Sequence, residues 1–159
     1  MKTSSHLENT FLAGHLISGP YERLFLTPEQ EKAYMENYLK NLDGVIEYEF
    51  QLEEYFNLKV IGLKSVLGSV SVVVISEEDR KKLPYYIQET RTMYIVDSIE
   101  EVYKEAEKRG IPILQKYTKN IMGAQGRLEF APGYIVELTE ATNKELFFAD
   151  PSEYGYEVQ

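Results

Sequence analysis

The fold is decided by the stretch that reads Thr92-Met-Tyr-Ile-Val-Asp-Ser-Ile-Glu-Glu-Val-Tyr-Lys-Glu-Ala-Glu-Lys-Arg-Gly110. Its β-branched and aromatic first residues predict a strand over 92–96. The pair Ser98 and Glu101 has the spacing of a capping box, and the apolar residues that follow recur at helical spacing. The basic residues just before Gly110 interact favourably with the negative end of the helix dipole, and Gly110 itself is typical of the residue that ends a helix. The stretch therefore predicts a strand followed by a helix.

The same order of elements begins 71 residues earlier in the chain. A predicted strand over 21–26 precedes Thr27, Pro28 and Gln30, which mark the start of a second helix. Each helix is followed by three strand-like runs, at 45–52, 58–67 and 69–75 in the first half and at 113–118, 127–131 and 134–138 in the second. The sequence thus predicts two β-α-β-β-β modules, an α+β fold in which the open faces of both sheets surround a shared cavity.

The module boundaries follow from these elements. We expect a leader over 1–19 and a first module over 20–76. The apolar patch of the leader forms either an extra edge strand or no strand. A charged linker over 77–90 leads to the second module over 91–140. The extension over 141–159 carries Leu146, Phe147 and Phe148, which we expect to dock on the body or on a second subunit because they would be costly to leave exposed.

Composition excludes several function classes. The chain of 159 residues has no cysteine, no tryptophan, two histidines and a formal net charge of −9. Without cysteine, the sequence lacks a thiolate nucleophile and cysteine-based metal sites. The acidic balance argues against a nucleic-acid partner. The sequence contains neither a signal peptide nor an apolar run of membrane-spanning length, so we expect a cytoplasmic protein without a membrane partner.

Residues 91–140 resemble the glyoxalase/bleomycin-resistance/extradiol-dioxygenase superfamily, also called vicinal oxygen chelate proteins. The resemblance rests on the strand and helix quoted above and on Gly126-Arg-Leu-Glu-Phe130 followed by Pro132-Gly-Tyr-Ile-Val-Glu-Leu138. That second motif is similar to the closing hairpin of the family, although Ala131 replaces the usual Asp and the turn is one residue shorter. The resemblance implies paired modules whose curved mixed sheets enclose a pocket.

The resemblance also assigns metal-ligand positions. The family's metalloenzymes use two side chains from each module, and these positions fall on Pro20, Val74, Arg91 and Glu137, or on Thr90 instead of Arg91 if Asp97 caps the helix. Of these four, Glu137 alone suits a divalent cation, because arginine stays charged and proline and valine have no donor atom. The resemblance therefore implies a member without a metal cofactor. The alternative is a Zn, Ni, Mn or Fe site that combines Glu137 with other ligands such as His15.

Seven residues are candidates for ligand binding. We expect Arg91 and Glu137 to be the polar anchors of the pocket and to pair across neighbouring strands, since each would offset the burial of the other. The other candidates are Met93, Tyr117, Met122, Gln125 and Arg127. Three of them lie in a glycine-containing connection, 120–127, which in the family borders the pocket mouth.

These features predict a small-molecule-binding protein that binds or sequesters a ligand without a metal. One alternative is a metal-dependent lyase, isomerase or dioxygenase with Glu137 as a ligand, so enzymatic activity stays open. Another is an effector-binding module of a transcription regulator. The carboxylates near Glu47 form either a groove for a cationic ligand or a solvated sheet face. We expect a homodimer, because family members often pair modules between subunits.

Overall fold

A computed structural model describes residues 4–148 of the chain, with the side chains of 7–148. Eight strands form one mixed sheet in the order β2-β3-β4-β1-β5-β8-β7-β6. The strands are β1 (Leu16–Leu26), β2 (Val45–Leu52), β3 (Leu58–Ser65), β4 (Gly68–Val74), β5 (Thr90–Val96), β6 (Ile113–Asn120), β7 (Gly123–Ala131) and β8 (Tyr134–Ala141).

Four α-helices and three 3-10 helices accompany these strands in the described part of the chain. The α-helices are α1 (Pro28–Leu42), α2 (Glu77–Arg80), α3 (Tyr85–Gln88) and α4 (Ile99–Lys108). The 3-10 helices are Ser4–Asn9, Glu53–Tyr55 and Lys144–Leu146. Both long helices begin at the predicted caps: Gln30 accepts a hydrogen bond from the Thr27 backbone N–H, and Ser98 accepts one from that of Glu101.

The sheet confirms the two predicted modules. Strand β1 pairs in parallel with β4, and β5 pairs in parallel with β8, so the first and last strands of each module are neighbours. The two modules meet where β1 and β5 pair antiparallel. The arrangement is the predicted fold of two β-α-β-β-β modules in one curved mixed sheet.

The two faces of the sheet have different coverings. Helices α1 and α4 pack on the face that we call the outer face, where α1 contributes Tyr38 and α4 contributes Val102 and Ala106 to two apolar clusters. The opposite face, here the inner face, holds a third cluster that includes Tyr48, Val73 and Met93. The segment between the modules covers this cluster with Leu83 and Ile87, and the C-terminal segment covers it with Phe147. The inner face is therefore a packed core over most of its area.

Three boundaries differ from the sequence prediction. Leu16 and Ile17 extend β1, and the described leader before them forms a 3-10 helix and turns, not an extra edge strand. The predicted linker contains α2 and α3, because its Leu83 and Ile87 bury apolar surface on the inner face. The connection over 120–127 is mostly strand, since β7 begins at Gly123.

The predicted docking of the C-terminal residues is confirmed for two of three side chains. Phe147 is buried and Leu146 packs against the inner-face cluster, whereas the Phe148 side chain is 63% exposed. Of the described helices, none is long and apolar enough to cross a membrane.

The contact between α4 and β7 gives a test of the fold. A Cβ atom at Gly126 would overlap the hydroxyl oxygen of Tyr103, which donates a hydrogen bond to the Gln115 carbonyl at 2.5 Å. We expect Gly126→Ala to lower the free energy of unfolding by about 1–3 kcal/mol, the usual cost of overpacking a core. Urea denaturation measures this. Gly14→Ala is the matched control, because a Cβ there meets no atom within 4 Å; equal midpoints for both variants would contradict the packing described.

Candidate functional site

A buried ionic cluster lies on the inner face where the two modules meet. Glu137 Oε1 on β8 accepts hydrogen bonds from Arg23 Nη2 at 2.5 Å and from Arg127 Nη2 at 3.0 Å. The side chains of Arg23, Glu137 and Arg127 are 5%, 10% and 2% exposed. One carboxylate therefore lies between two guanidinium groups, one from each module, away from solvent.

Strand pairing explains why these residues meet. Arg127 and Glu137 are directly opposite each other on β7 and β8, and Met93 on β5 lies beside Glu137 on its other side. Arg23 shares the inner face with Tyr21, because side chains two residues apart on a strand point the same way. The long arginine side chain then reaches from β1 across β5 to Glu137.

Arg127 has partners on each of its three nitrogen atoms. Its Nε donates to Thr90 Oγ1 at 2.8 Å, and its Nη1 donates to Gln115 Oε1 at 2.6 Å and to Gln125 Oε1 at 3.1 Å. Together with the hydrogen bond from Nη2 to Glu137, these contacts give every nitrogen atom of this buried side chain a hydrogen-bond partner. Arg127 is therefore a fixed part of the core.

The two arginines keep Glu137 ionised. Burial opposes ionisation, but the positive charges of Arg127 and Arg23 and the hydrogen bonds from Arg23 and Thr139 outweigh it, so the pKa of Glu137 lies below its ordinary value of 4.5. Burial also lowers the pKa of Arg127, although the guanidinium stays protonated at neutral pH. The cluster of Arg23, Arg127 and Glu137 then carries a net charge of +1.

Two cavities adjoin this cluster. The inner cavity, about 30 Å³, is lined by Arg23, Arg127, Glu137, Gln125 and Ser71 together with apolar side chains and Tyr55. The second is an open groove of about 910 Å³. Its walls come from the first half of β1, the β3–β4 turn, and the residues that join α3 to β5. Arg23 belongs to the lining of both.

The predicted pairing of Arg91 with Glu137 is wrong. Arg91 is exposed and lines the groove, whereas Glu137 pairs with Arg23 and Arg127. An irregularity between Thr90 and Thr92 shifts the β5 register, so Thr90 reaches the cluster instead. Strand alternation alone does not reveal such a shift. The number of residues between the strand and the helix cap therefore predicts, wrongly, that Arg91 points into the pocket.

The other predicted site residues divide into two groups. Met93, Gln125, Arg127 and Glu137 line the inner cavity together. Met122 is buried in the inner-face core without lining either cavity, and Tyr117 packs in the cluster beneath α4 on the outer face. Of the remaining predicted metal-ligand positions, Pro20 lines the groove and Val74 belongs to the cluster beneath α1.

Sequence reasoning missed Arg23, which belongs to the lining of both cavities. The run Tyr21-Glu-Arg-Leu-Phe25 places Arg23 on the same face as Tyr21 and Phe25. Period-two alternation therefore predicts that all three side chains point inward, and this is the signal that could have identified Arg23.

The predicted groove for a cationic ligand has little support in the structure. Glu49, Glu53 and Glu54 are exposed, which favours a solvated face, while Glu47 is buried and accepts a hydrogen bond from Tyr21.

The side chains at the cluster do not fit a divalent cation. Glu137 is its one carboxylate, and both neighbouring guanidinium groups would repel a metal ion bound there. His15 lies before β1, where its Nδ1 is 2.8 Å from Asp97 Oδ1, and neither residue lines the two cavities described above. Among the described side chains, those of residues 7–148, no group of three or more histidine, aspartate or glutamate residues has metal-site geometry.

Comparison with known proteins identifies the fold. No family model and no curated protein matches the sequence. Methylmalonyl-CoA epimerase from Mycobacterium tuberculosis superposes with a TM-score of 0.59 and 10% identity, covering 82% of this chain and 93% of that one. An uncharacterized protein from Methanosarcina mazei gives 0.56 and 17%, covering 77% and 91%. A hypothetical protein from Bacillus halodurans C-125 gives 0.56 and 17%, covering 74% and 91%.

These structures define the class by fold: the chain has the glyoxalase/bleomycin-resistance fold, also called the vicinal oxygen chelate fold. Sequence identity is 17% or lower in all three comparisons, so the shared feature is the fold itself.

The buried carboxylate gives a direct stability test. Glu137→Gln removes the negative charge but keeps the shape of the side chain, which leaves Arg23 and Arg127 buried without a counter-charge. We expect a loss of about 3–5 kcal/mol in the free energy of unfolding at pH 7, the usual cost of breaking a buried ion pair. Urea denaturation measures it, and Glu36→Gln on the exposed side of α1 is the matched control. A variant as stable as the parent would contradict a buried ionic cluster.

The pH dependence of the same variant checks the cause. Because folding lowers the pKa of Glu137, its stabilising contribution is present above its unfolded pKa, near 4.5, and is lost as pH falls through the lower folded pKa. The stability difference between parent and Glu137→Gln should therefore shrink as pH falls below about 4. A difference that stays constant through this acid range would show that shape, not charge, causes the loss.

Proposed function

We propose that this protein binds a small anionic organic molecule in the groove and does so without a metal ion. The observation that carries the proposal is the set of cations among the groove-lining residues: Arg91, which is exposed, Lys64, and Arg23, whose buried side chain is held by Glu137. An exposed guanidinium at the wall of an open groove is a suitable anchor for a carboxylate or phosphate group.

The rest of the groove lining supports an anionic ligand. Arg91 and Lys64 add two cations to Arg23, while Glu22 and Glu89 are the acidic residues of the lining. This local surplus of positive charge contrasts with the net charge of −9 for the whole chain. Ser18, Ser69 and Thr92 add residues with hydroxyl groups to the lining. The groove lining thus contains both charged and hydroxyl-bearing residues.

Cavity size favours the groove over the inner cavity for an organic ligand. Small-molecule sites measure roughly 300–1,000 Å³. The groove has about 910 Å³, whereas the inner cavity has about 30 Å³. Of the residues predicted to bind a ligand, Arg91 lies in the groove lining, whereas Glu137 forms the ion pair with Arg23.

A metal-free mechanism is consistent with the charges at the cluster. In a metal-dependent lyase, isomerase or dioxygenase, oxygen and nitrogen ligands must converge on one cation. Here Arg23 and Arg127 occupy the space around the one carboxylate of the cluster. The groove lining formed by the described residues contains no histidine, the commonest general base. Binding or sequestration is therefore the role that we propose, with turnover as an outcome of the test.

Thermal-shift titration and calorimetry with small carboxylates, phosphate monoesters and cationic amines test the proposal. We expect saturable stabilisation by at least one anionic class, because a ligand that binds the native state raises its stability by mass action. Arg91→Gln should weaken that binding about tenfold or more, the usual worth of a charge-assisted hydrogen bond. Lys119→Gln, an exposed cation on β6, is the matched control and should bind like the parent.

Metal analysis of protein purified without chelator completes the experiment. We expect binding to persist after dialysis against a chelator, with no stoichiometric metal retained. Stoichiometric Zn, Ni, Mn or Fe that is lost in Glu137→Ala would contradict the metal-free proposal. Binding confined to cationic compounds, or anion binding unaffected by Arg91→Gln, would contradict the groove assignment.

A further inference from the structure

We infer that the inner cavity is a binding site for a monatomic anion of about the size of chloride. The inference concerns the inner cavity and does not depend on a ligand in the groove. It rests on three polar atoms, on the charge that surrounds them and on the volume available.

Three buried polar atoms of the cavity lining have no hydrogen-bond partner in the described structure. They are Arg23 Nε, Ser71 Oγ and Gln125 Nε2. An unpartnered buried polar group costs free energy, so such groups in native proteins usually have a bound partner. The three residues come from β1, β4 and β7, and Arg23 and Ser71 are opposite each other on adjacent strands.

All three atoms can donate a hydrogen bond. Arg23 Nε is a donor only, and the Ser71 hydroxyl can donate. The amide of Gln125 is held in one orientation, because its Oε1 accepts from Arg127 Nη1 at 3.1 Å. A flipped amide would put an N–H group against that guanidinium. The cavity therefore presents donors, which suits an anion and does not suit a metal cation.

The charges of the lining favour the same occupant. Arg23 and Arg127 contribute two positive charges and Glu137 one negative charge. Both Glu137 oxygens already accept hydrogen bonds, Oε1 from the two arginines and Oε2 from Thr139. A monovalent anion near Arg23 would neutralise the remaining positive charge of this desolvated cluster.

Volume limits the anion to a small one. A space of about 30 Å³ accommodates on the order of one or two particles of water size. This size favours a monatomic anion over sulfate, phosphate and organic carboxylates. The rest of the lining is mostly apolar, with Leu58, Val60, Val73 and Met93 among its members. Such surroundings suit a weakly hydrated halide, and a water molecule is the competing occupant.

Diffraction from crystals grown in sodium bromide distinguishes the two occupants. We expect an anomalous bromide peak inside the cavity, within hydrogen-bonding distance of Ser71 Oγ and Gln125 Nε2. Density at that position without an anomalous signal would identify water and overturn the inference. An empty cavity would overturn it as well.

Thermal unfolding in solution gives an independent measurement. At constant ionic strength, we expect the melting temperature to rise saturably as sodium chloride replaces sodium gluconate. Ser71→Ala removes one donor and should shift the half-saturating chloride concentration upward at least tenfold. Tyr38→Phe is the matched control, because it removes an unpartnered buried hydroxyl from the outer face.

An unchanged chloride response in Ser71→Ala would overturn the inference. Arg91→Gln separates this site from the groove: it should leave the chloride response intact while weakening the organic ligand. If Ser71→Ala fails to fold, the bromide experiment on the parent protein still decides the question.

Discussion

The structure depends on keeping three charged side chains buried on the inner face of one sheet. Glu137 is stable there because Arg23 and Arg127 donate to the same carboxylate oxygen. Each arginine in turn requires Glu137, since an unpaired buried charge costs several kcal/mol. The contact between Arg23 and Glu137 joins β1 of the first module to β8 of the second, so it links the two halves of the sheet in addition to the pairing of β1 with β5.

The packing of the inner face explains why the open groove, and not the interior, is large enough for an organic ligand. The segment between the modules and the residues after β8 fill the inner face with Leu83, Ile87 and Phe147, which leaves about 30 Å³ near the charges. Arg23 belongs to the lining of both spaces, with its side chain buried and held by Glu137. Arg91 is the exposed arginine of the groove.

Much of the fold was predictable because its signals are local. Capping residues at Thr27 and Ser98, the alternation of apolar residues and the repeated order of elements all act over a few residues, and the structure confirms them. Four of the seven predicted ligand residues line the inner cavity for the same reason: they alternate correctly on β5, β7 and β8.

The predictions that are wrong concern residues whose position depends on distant contacts or on irregular strand pairing. The shift near Thr90 turns Arg91 outward, and no local pattern marks it. Composition distinguishes the leader and the linker, whereas their structure follows from what they cover on the sheet. Arg23 alternates with Tyr21 in the sequence, but an arginine in an apolar strand is hard to interpret until its partner is known.

A double-mutant cycle between Arg23 and Glu137 tests the central claim most directly. Urea denaturation of Arg23→Met, Glu137→Met and the double variant gives the coupling free energy between the two side chains. We expect a favourable coupling of about 2 kcal/mol or more, with the double variant far less destabilised than the sum of the singles. Additivity within about 0.5 kcal/mol would contradict a fold that depends on this ion pair.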